Sequence, residues 1–338
     1  MKNYLKKIAR RSGLYKLSSL INNNVLSVLM YHGFCQFPKK LRYFHRTGMI
    51  LNINIFEQQL ESILKYSTPI SLKMAVTSNE LPPNAVAFTF DDGYKNNYLD
   101  AFPLLKKHNI PTTIFITTGF IDKKCYLWAD RLDYILNEAE DWVYKLISKD
   151  GAIEIDLSNN SARRVTITKL KNYIKKLPDR KKNQLIDMIE AELGISYSWD
   201  VIPDELKPLS WDEIREMHQS GLVTFGAHTV THPILRNCDY KMQEFEINYA
   251  RKRIEEELDA ECIYFAYPNG KTPDYSHLTI ELLEKAGYKA AVTANSGYVD
   301  NINGNLFELN RFGSAENIDD LATVISGFSK LIGSGKGN

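Results

Sequence analysis

Ala87-Phe88-Thr89-Phe90-Asp91-Asp92-Gly93-Tyr94 is an apolar run that stops abruptly at two adjacent carboxylates and a glycine. In folds built on parallel strands, the C-terminal strand ends line the active site. Two acids placed there repel each other unless a cation or a proton intervenes. A turn built on Asp-Gly chemistry accounts for Asp92-Gly93, but it leaves the doubled acid after a buried strand unexplained. The stretch reads as a strand followed by a functional loop.

Outward from this point, short β-branched or apolar runs recur at 25–31, 112–117, 223–225, 263–266, 290–293 and 306–309, which with 86–90 make seven candidate strands. Helices with recognisable ends lie between several of them. Ser210 and Glu213 form a capping box that opens a helix closed by Gly221, and Gly287 ends a helix over 280–285. Strand and helix in repetition imply parallel strands joined by crossovers. The expected fold class is α/β, and seven strands suit a distorted or incomplete barrel better than an eightfold closed one. From about 142 to 207 the pattern changes to polar, Lys-rich helices, including 169–176 before Pro178 and 179–193 before Gly194. This segment reads as a helical insertion in a barrel over 25–330, with a basic helical arm at 1–24 and a flexible tail at 331–338. The insertion suits a cover over the barrel mouth, a partner surface or a solvated elaboration.

A chain of 338 residues suits one barrel with an insertion. Apolar residues at 44% and charged residues at 25% argue against disorder and coiled coil. The net charge of +1 hides an asymmetry, because the first 56 residues carry six Lys, four Arg and no acid, leaving −9 on the rest. Such an arm suits a peripheral contact with an anionic membrane surface, an acidic substrate or a plain solvated helix face. Residues 1–19 are interrupted by charges and show no secretory h-region, and no run approaches the roughly eighteen apolar residues of a membrane span. Cys35, Cys125, Cys238 and Cys262 are scattered without C-x-x-C spacing, which fits a reducing compartment. The expected location is cytoplasmic, with a peripheral position at the inner face of the membrane as the variant. Nucleic acid is not among the expected partners.

A second motif, Phe225-Gly226-Ala227-His228-Thr229-Val230-Thr231-His232-Pro233, again follows a short apolar run and carries two histidines at i and i+4. On a helical turn this spacing brings both imidazoles to one side, within reach of one metal. Joined to the Asp-Asp pair it supplies a His₂Asp set that leaves coordination positions open for water and substrate.

With these motifs the sequence resembles the polysaccharide deacetylases of the NodB-homology type, carbohydrate esterase family 4, and within them the branch that includes poly-N-acetylglucosamine deacetylases. The matching residues are Thr89-Phe90-Asp91-Asp92-Gly93, His228-Thr229-Val230-Thr231-His232 and Phe265-Ala266-Tyr267-Pro268-Asn269-Gly270, in the family's order. The resemblance covers roughly 25–312 without the insertion. It implies a distorted (β/α)7 barrel that removes an N-acetyl, in some members an O-acetyl, group from a sugar in cell-surface glycan biosynthesis. It makes Asp92, His228 and His232 ligands of one divalent metal ion, zinc first, with cobalt, nickel, manganese or iron as alternatives. Asp91 becomes the base that takes a proton from the attacking water, and the backbone N–H of Asn269 an oxyanion donor. Tyr94, Thr229, Tyr267, Pro268 and Asn269 are the expected substrate contacts, and an N-acetylated carbohydrate is the expected partner.

Two departures stand out. Many family members carry an arginine where this chain has Ala266, placed to steady the catalytic aspartate, and Arg311 is the candidate replacement, also expected among the substrate contacts. Many also carry a late catalytic-acid histidine, which 306–311 lacks. The branch resemblance places that role on His32, directly after the first strand in Leu29-Met30-Tyr31-His32-Gly33, where a pKa near neutrality suits an acid. Leu127-Trp128-Ala129-Asp130-Arg131-Leu132 also resembles a segment of this branch. Trp128 then suits stacking on a sugar ring or core packing, and Asp130-Arg131 suits a pair at a helix start. The competing readings are a catalytically impaired glycan-binding protein and an amide hydrolase acting on a non-sugar substrate.

Overall fold

The computed structural model describes residues 14–21, 26–36, 49–148, 151–299 and 304–331. Most of the expected N-terminal arm and nearly all of the expected tail lie outside these residues. Seven parallel strands form the main sheet: β1 (Leu26–Tyr31), β2 (Ala85–Phe90), β3 (Thr112–Ile116), β4 (Val223–Ala227), β5 (Tyr264–Ala266), β6 (Ala290–Val292) and β7 (Phe312–Gly313). They are ordered β6-β5-β4-β3-β2-β1-β7, and the short strand Thr68–Ile70 pairs beside the first half of β2. The sheet curls. A parallel bridge from Val292 to Leu309 draws the β6 edge toward the segment that leads into β7. The result is the expected distorted barrel, with helices outside.

Six of the expected strands appear within a residue or two of their expected ends. The run at 306–309 does not form a strand; only Leu309 bridges, and the chain pairs with β1 three residues later through Phe312 and Gly313. Its apolar residues, Leu306 and Leu309, serve the core without a ladder, which hydrophobicity alone cannot distinguish from a strand.

Two apolar layers follow from the period of two along each strand. Leu26, Val28, Ala85, Ala87, Phe115, Tyr264, Ala266 and Val292 fill the barrel interior. Val86, Phe88, Phe90, Ile114, Ile116, Phe225 and Phe265 point outward under the helices. Gly226 matters here, because a Cβ at that position would stand 2.6 Å from the Phe115 ring and 2.8 Å from the Tyr264 carbonyl oxygen. The small residue lets β4 lie close against its neighbours where the site begins.

The expected capping box is present: the Ser210 N–H donates to Glu213 Oε2 at 2.7 Å and the Glu213 N–H to Ser210 Oγ at 3.3 Å. The insertion contains the helices Asn160–Ile174 and Asp179–Leu193, together with an antiparallel hairpin, Val143–Ser148 with Gly151–Asp156, that its polar, Lys-rich composition concealed. Its Ile155, Ile174, Ile186 and Leu206 pack with Leu132 and Ile135 of the preceding helix Trp128–Glu138 in an apolar cluster distinct from those of the sheet. Asn237 ties it to the barrel by donating to the carbonyls of Lys175 and Leu177 at 2.8 and 3.0 Å. Of the arm, the helix Leu14–Ile21 is described. Its Ser18 hydroxyl donates to the Ser326 carbonyl at 2.9 Å, and Tyr15 shares a 2.8 Å hydrogen bond with Thr323, so this part docks on the C-terminal helices.

Candidate metal centre and active-site pocket

The inward series of β2 runs Ala85, Ala87, Thr89 and continues to Asp91 just past the strand, at the barrel mouth. The chain then leaves extended geometry: Asp92 sits at φ +75° and Gly93 at φ +88°. This turn directs successive carboxylates differently. Asp91 faces Arg311, and Asp92 faces the histidines.

His228 continues the inward series of β4. The 228–232 segment is not the helical turn that the i, i+4 spacing suggested. It is a loop with Thr229 at φ +67° and His232 at φ +58°, and the loop itself brings the two imidazoles together edge to face, with ring centroids 4.8 Å apart. His228 Nε2 and His232 Nε2 lie 3.6 and 3.4 Å from Asp92 Oδ1. The donor atoms of these three residues all lie within 4.8 Å of one another. Two ligands at about 2 Å from a tetrahedral cation stand roughly 3.3 Å apart, so the set is spaced to hold one.

The protonation chemistry agrees. Burial raises the Asp92 pKa well above the carboxylate range, helped by the charges of Asp91 and Asp130. Burial lowers the pKa of His228, and lowers that of His232 further with the help of the His228 charge. Neutral imidazoles are the ligand form, and a buried carboxylate of this kind is ionised most readily beside a cation. His228 Nδ1 lies 2.7 Å from the Ala266 carbonyl, which assigns the proton to Nδ1 and leaves Nε2 a lone pair toward Asp92.

Arg311 grips Asp91 with both arms: Nη1 donates to Oδ1 and Nη2 to Oδ2, each at 2.7 Å. It also donates to Thr89 Oγ1 and the Thr293 carbonyl. Burial works to raise the Asp91 pKa, but the Arg311 guanidinium outweighs it and holds the carboxyl well below the usual range. Asp91 is thus ionised throughout neutral pH. His32 Nε2 stands 3.9 Å from Asp91 Oδ2.

These groups open into a cavity of about 710 Å³ whose walls include His32, Asp91, Asp92, Tyr94, His228 and His232. Tyr267 and Asn269 also line it, and Asn269 Nδ2 is a buried donor with no partner among the described residues. Four of the expected substrate contacts do not reach its wall. Arg311 is only 1% exposed and spent on Asp91. Thr229 is buried, and its hydroxyl accepts the His232 N–H at 3.0 Å. Pro268 is buried, with its carbonyl taken by the Gly270 N–H. Trp128 packs in the core of the insertion, the second of the two roles expected for it. The wall carries instead its neighbours Leu127, Ala129 and Asp130, and Lys175 from the insertion itself. Asp130 does not pair with Arg131, which bonds Asp187 and Glu190. It accepts a 2.7 Å hydrogen bond from the Tyr94 hydroxyl.

The sequence profile of the family described as polysaccharide deacetylase matches residues 78–291, from just before β2 to the start of β6. The chain belongs to the polysaccharide deacetylase family. Among its relatives, the poly-beta-1,6-N-acetyl-D-glucosamine N-deacetylase of Staphylococcus aureus strain MSSA476 is 25% identical over 183 residues, covering 49% of this chain and 61% of that protein. The chain spans 37% to 61% of the length of the curated relatives it matches. The Streptococcus pyogenes deacetylase PplD, solved in complex with acetate, shares the fold with a TM-score of 0.57 at 21% identity, covering 93% of this chain and 100% of that one. IcaB from Ammonifex degensii does so with a TM-score of 0.52 at 20% identity, covering 90% and 97%. Within this family, a buried carboxylate and two neutral imidazoles beside an ionised, arginine-held aspartate suit amide hydrolysis.

Proposed function

We propose that the protein is a metal-dependent deacetylase that removes the acetyl group of an N-acetylated sugar in a cell-surface glycan or its precursor. The observation that carries this reading is the convergence of Asp92, His228 and His232 within 4.8 Å at the floor of a cavity that also exposes Asp91 and His32. A divalent cation held there would polarise the amide carbonyl and acidify a water molecule. Asp91, kept ionised by Arg311, accepts the proton of the attacking water. Asn269, which lines the cavity, donates through its backbone N–H to the developing oxyanion. His32 returns a proton to the nitrogen as the C–N bond breaks, releasing acetate and a free amine. The cavity volume suits a sugar unit and part of a neighbour, and the name of the Staphylococcus relative supports an N-acetylglucosamine polymer as the first substrate to try. Zinc is the first candidate metal.

The test is acetate release from N-acetylated β-1,6-glucosamine oligosaccharides by protein stripped with chelator and then supplied with zinc, cobalt, nickel, manganese or iron. Activity is expected only after metal addition. Absence of acetate with every metal, while the protein stays folded, would defeat the proposal.

The acid role of His32 has a separate signature. A general acid must be protonated, so wild-type kcat/KM is expected to fall at alkaline pH. His32→Gln is expected to lower kcat by about 10²–10⁴-fold and to flatten that alkaline limb. An unchanged limb in the variant would assign the proton to another group.

A further inference from the structure

We infer that Glu246 is a positioning residue for the two histidine ligands, its carboxylate serving as the template on which the 228–232 loop is folded. The inference rests on the metal reading above and concerns how that site is built. Glu246 lies on the helix Tyr240–Leu258 outside the barrel and is fully buried. Its Oε2 accepts the N–H groups of Val230 and Thr231 at 2.7 and 2.9 Å, and its Oε1 accepts the Thr231 hydroxyl at 2.6 Å. These two residues stand between His228 and His232, so one side chain fixes the middle of the span whose ends carry the imidazoles.

The loop needs such a hold. Thr229 is β-branched and His232 is bulky, yet both occupy the left-handed region, a strained conformation that persists only where the surroundings impose it. The loop's carbonyls are held by the neighbouring segment: Thr117 Oγ1 donates to the His228 carbonyl at 3.1 Å, the Thr118 N–H to Thr229 at 3.1 Å and the Gly119 N–H to Val230 at 2.8 Å. The amides of Val230 and Thr231 point the other way, where Glu246 receives both. The Thr117–Gly119 segment thus holds one side of the loop and the Glu246 side chain the other. Removing that side chain leaves two buried amides without an acceptor and frees the loop to relax away from the ligand geometry.

Position and charge predict different outcomes. Glutamine keeps the length: its carbonyl accepts both amides, and its NH₂ donates to the Thr231 hydroxyl, which can rotate to accept. Aspartate keeps the charge but withdraws the oxygens by about one C–C bond, roughly 1.5 Å, beyond hydrogen-bond reach. The experiment is a competition titration of zinc and cobalt into chelator-stripped protein for wild type, Glu246→Ala, Glu246→Asp and Glu246→Gln, with kcat and KM measured alongside. Glu246→Ala and Glu246→Asp are expected to weaken metal binding by about 10–100-fold and to lower kcat more than they raise KM. Glu246→Gln is expected to stay near wild type. If Glu246→Ala does not fold, the order of the other two decides. Glu246→Asp binding as tightly as Glu246→Gln or tighter overturns the inference, as does a folded Glu246→Ala with wild-type affinity. A wild-type protein that binds no divalent metal defeats the metal reading, and this one with it; a wild type that binds while all variants bind alike defeats this one alone.

Discussion

Replacing Arg311 with methionine is expected to destabilise the protein by about 3–5 kcal/mol, the usual cost of removing one partner from a buried ion pair. Arg311 is 1% and Asp91 2% exposed, and both carboxylate oxygens are engaged. Methionine fills much of the space and satisfies none of the charge. The pH dependence sharpens the test. In the wild type the folded pKa of Asp91 is depressed, so the pair stabilises above the ordinary aspartate pKa of about 3.9, and the contribution is lost as pH falls below it. Without the guanidinium, burial is left to dominate and the folded pKa rises above 3.9. The variant then holds its proton more tightly folded than unfolded, and its deficit relative to wild type shrinks as the solution is acidified. Urea unfolding of both proteins at several pH values reads this directly. A deficit under about 1 kcal/mol at neutral pH, in the range of an exposed pair, would show that the grip on Asp91 is not a buried ion pair in solution. The double variant with Asp91→Asn should recover part of the loss, because the buried charge then goes with its partner.

Asp91→Asn alone is expected to lower kcat by about 10²–10⁴-fold, the range that general-base catalysis supplies, while leaving metal affinity close to wild type. The adjacent Asp92→Asn is expected to lose metal and activity together. The contrast is physically pointed, since the two carboxylates are chain neighbours and differ in what they face. Asp91 stands against Arg311, and Asp92 stands 3.4–3.6 Å from two imidazole nitrogens. Metal content by elemental analysis, measured beside kcat, separates the roles. An Asp91→Asn protein that lost its metal, or kept most of its turnover, would overturn the assignment of the base.

Much of this arrangement could be read before any coordinates. The inward alternation of Ala85, Ala87, Thr89 and Asp91 is written in the strand, and the paired acids mark where it opens. The histidine pair was legible for its spacing, though its backbone was not: i, i+4 reads as helix, whereas left-handed Thr229 and His232 make a loop that achieves the same proximity. Arg311 was visible as a candidate because the family resemblance calls for an arginine where this chain has Ala266. That it is buried against Asp91, Thr89 and the Thr293 carbonyl, rather than shared with substrate, depends on burial that sequence does not report. Glu246 gave no signal, and Asp130 stood out only as a partner for Arg131. Each sits in a polar or mixed helix among many acids, and only tertiary placement separates the acid that ties a loop from those that face water. The 143–156 hairpin was missed because its strands lie within an otherwise polar, helical region.

The 142–207 segment packs in an apolar cluster distinct from those of the sheet, yet its Lys175 lines the same pocket as Asp91, Asp92 and His228 at the strand ends. We propose that this Lys175-bearing segment helps set sugar choice while the reacting groups stay on the sheet. Grafting another relative's 142–207 segment onto this barrel should change which glycans are accepted while the bond-breaking apparatus stays as it is, making the segment an exchangeable selectivity cassette.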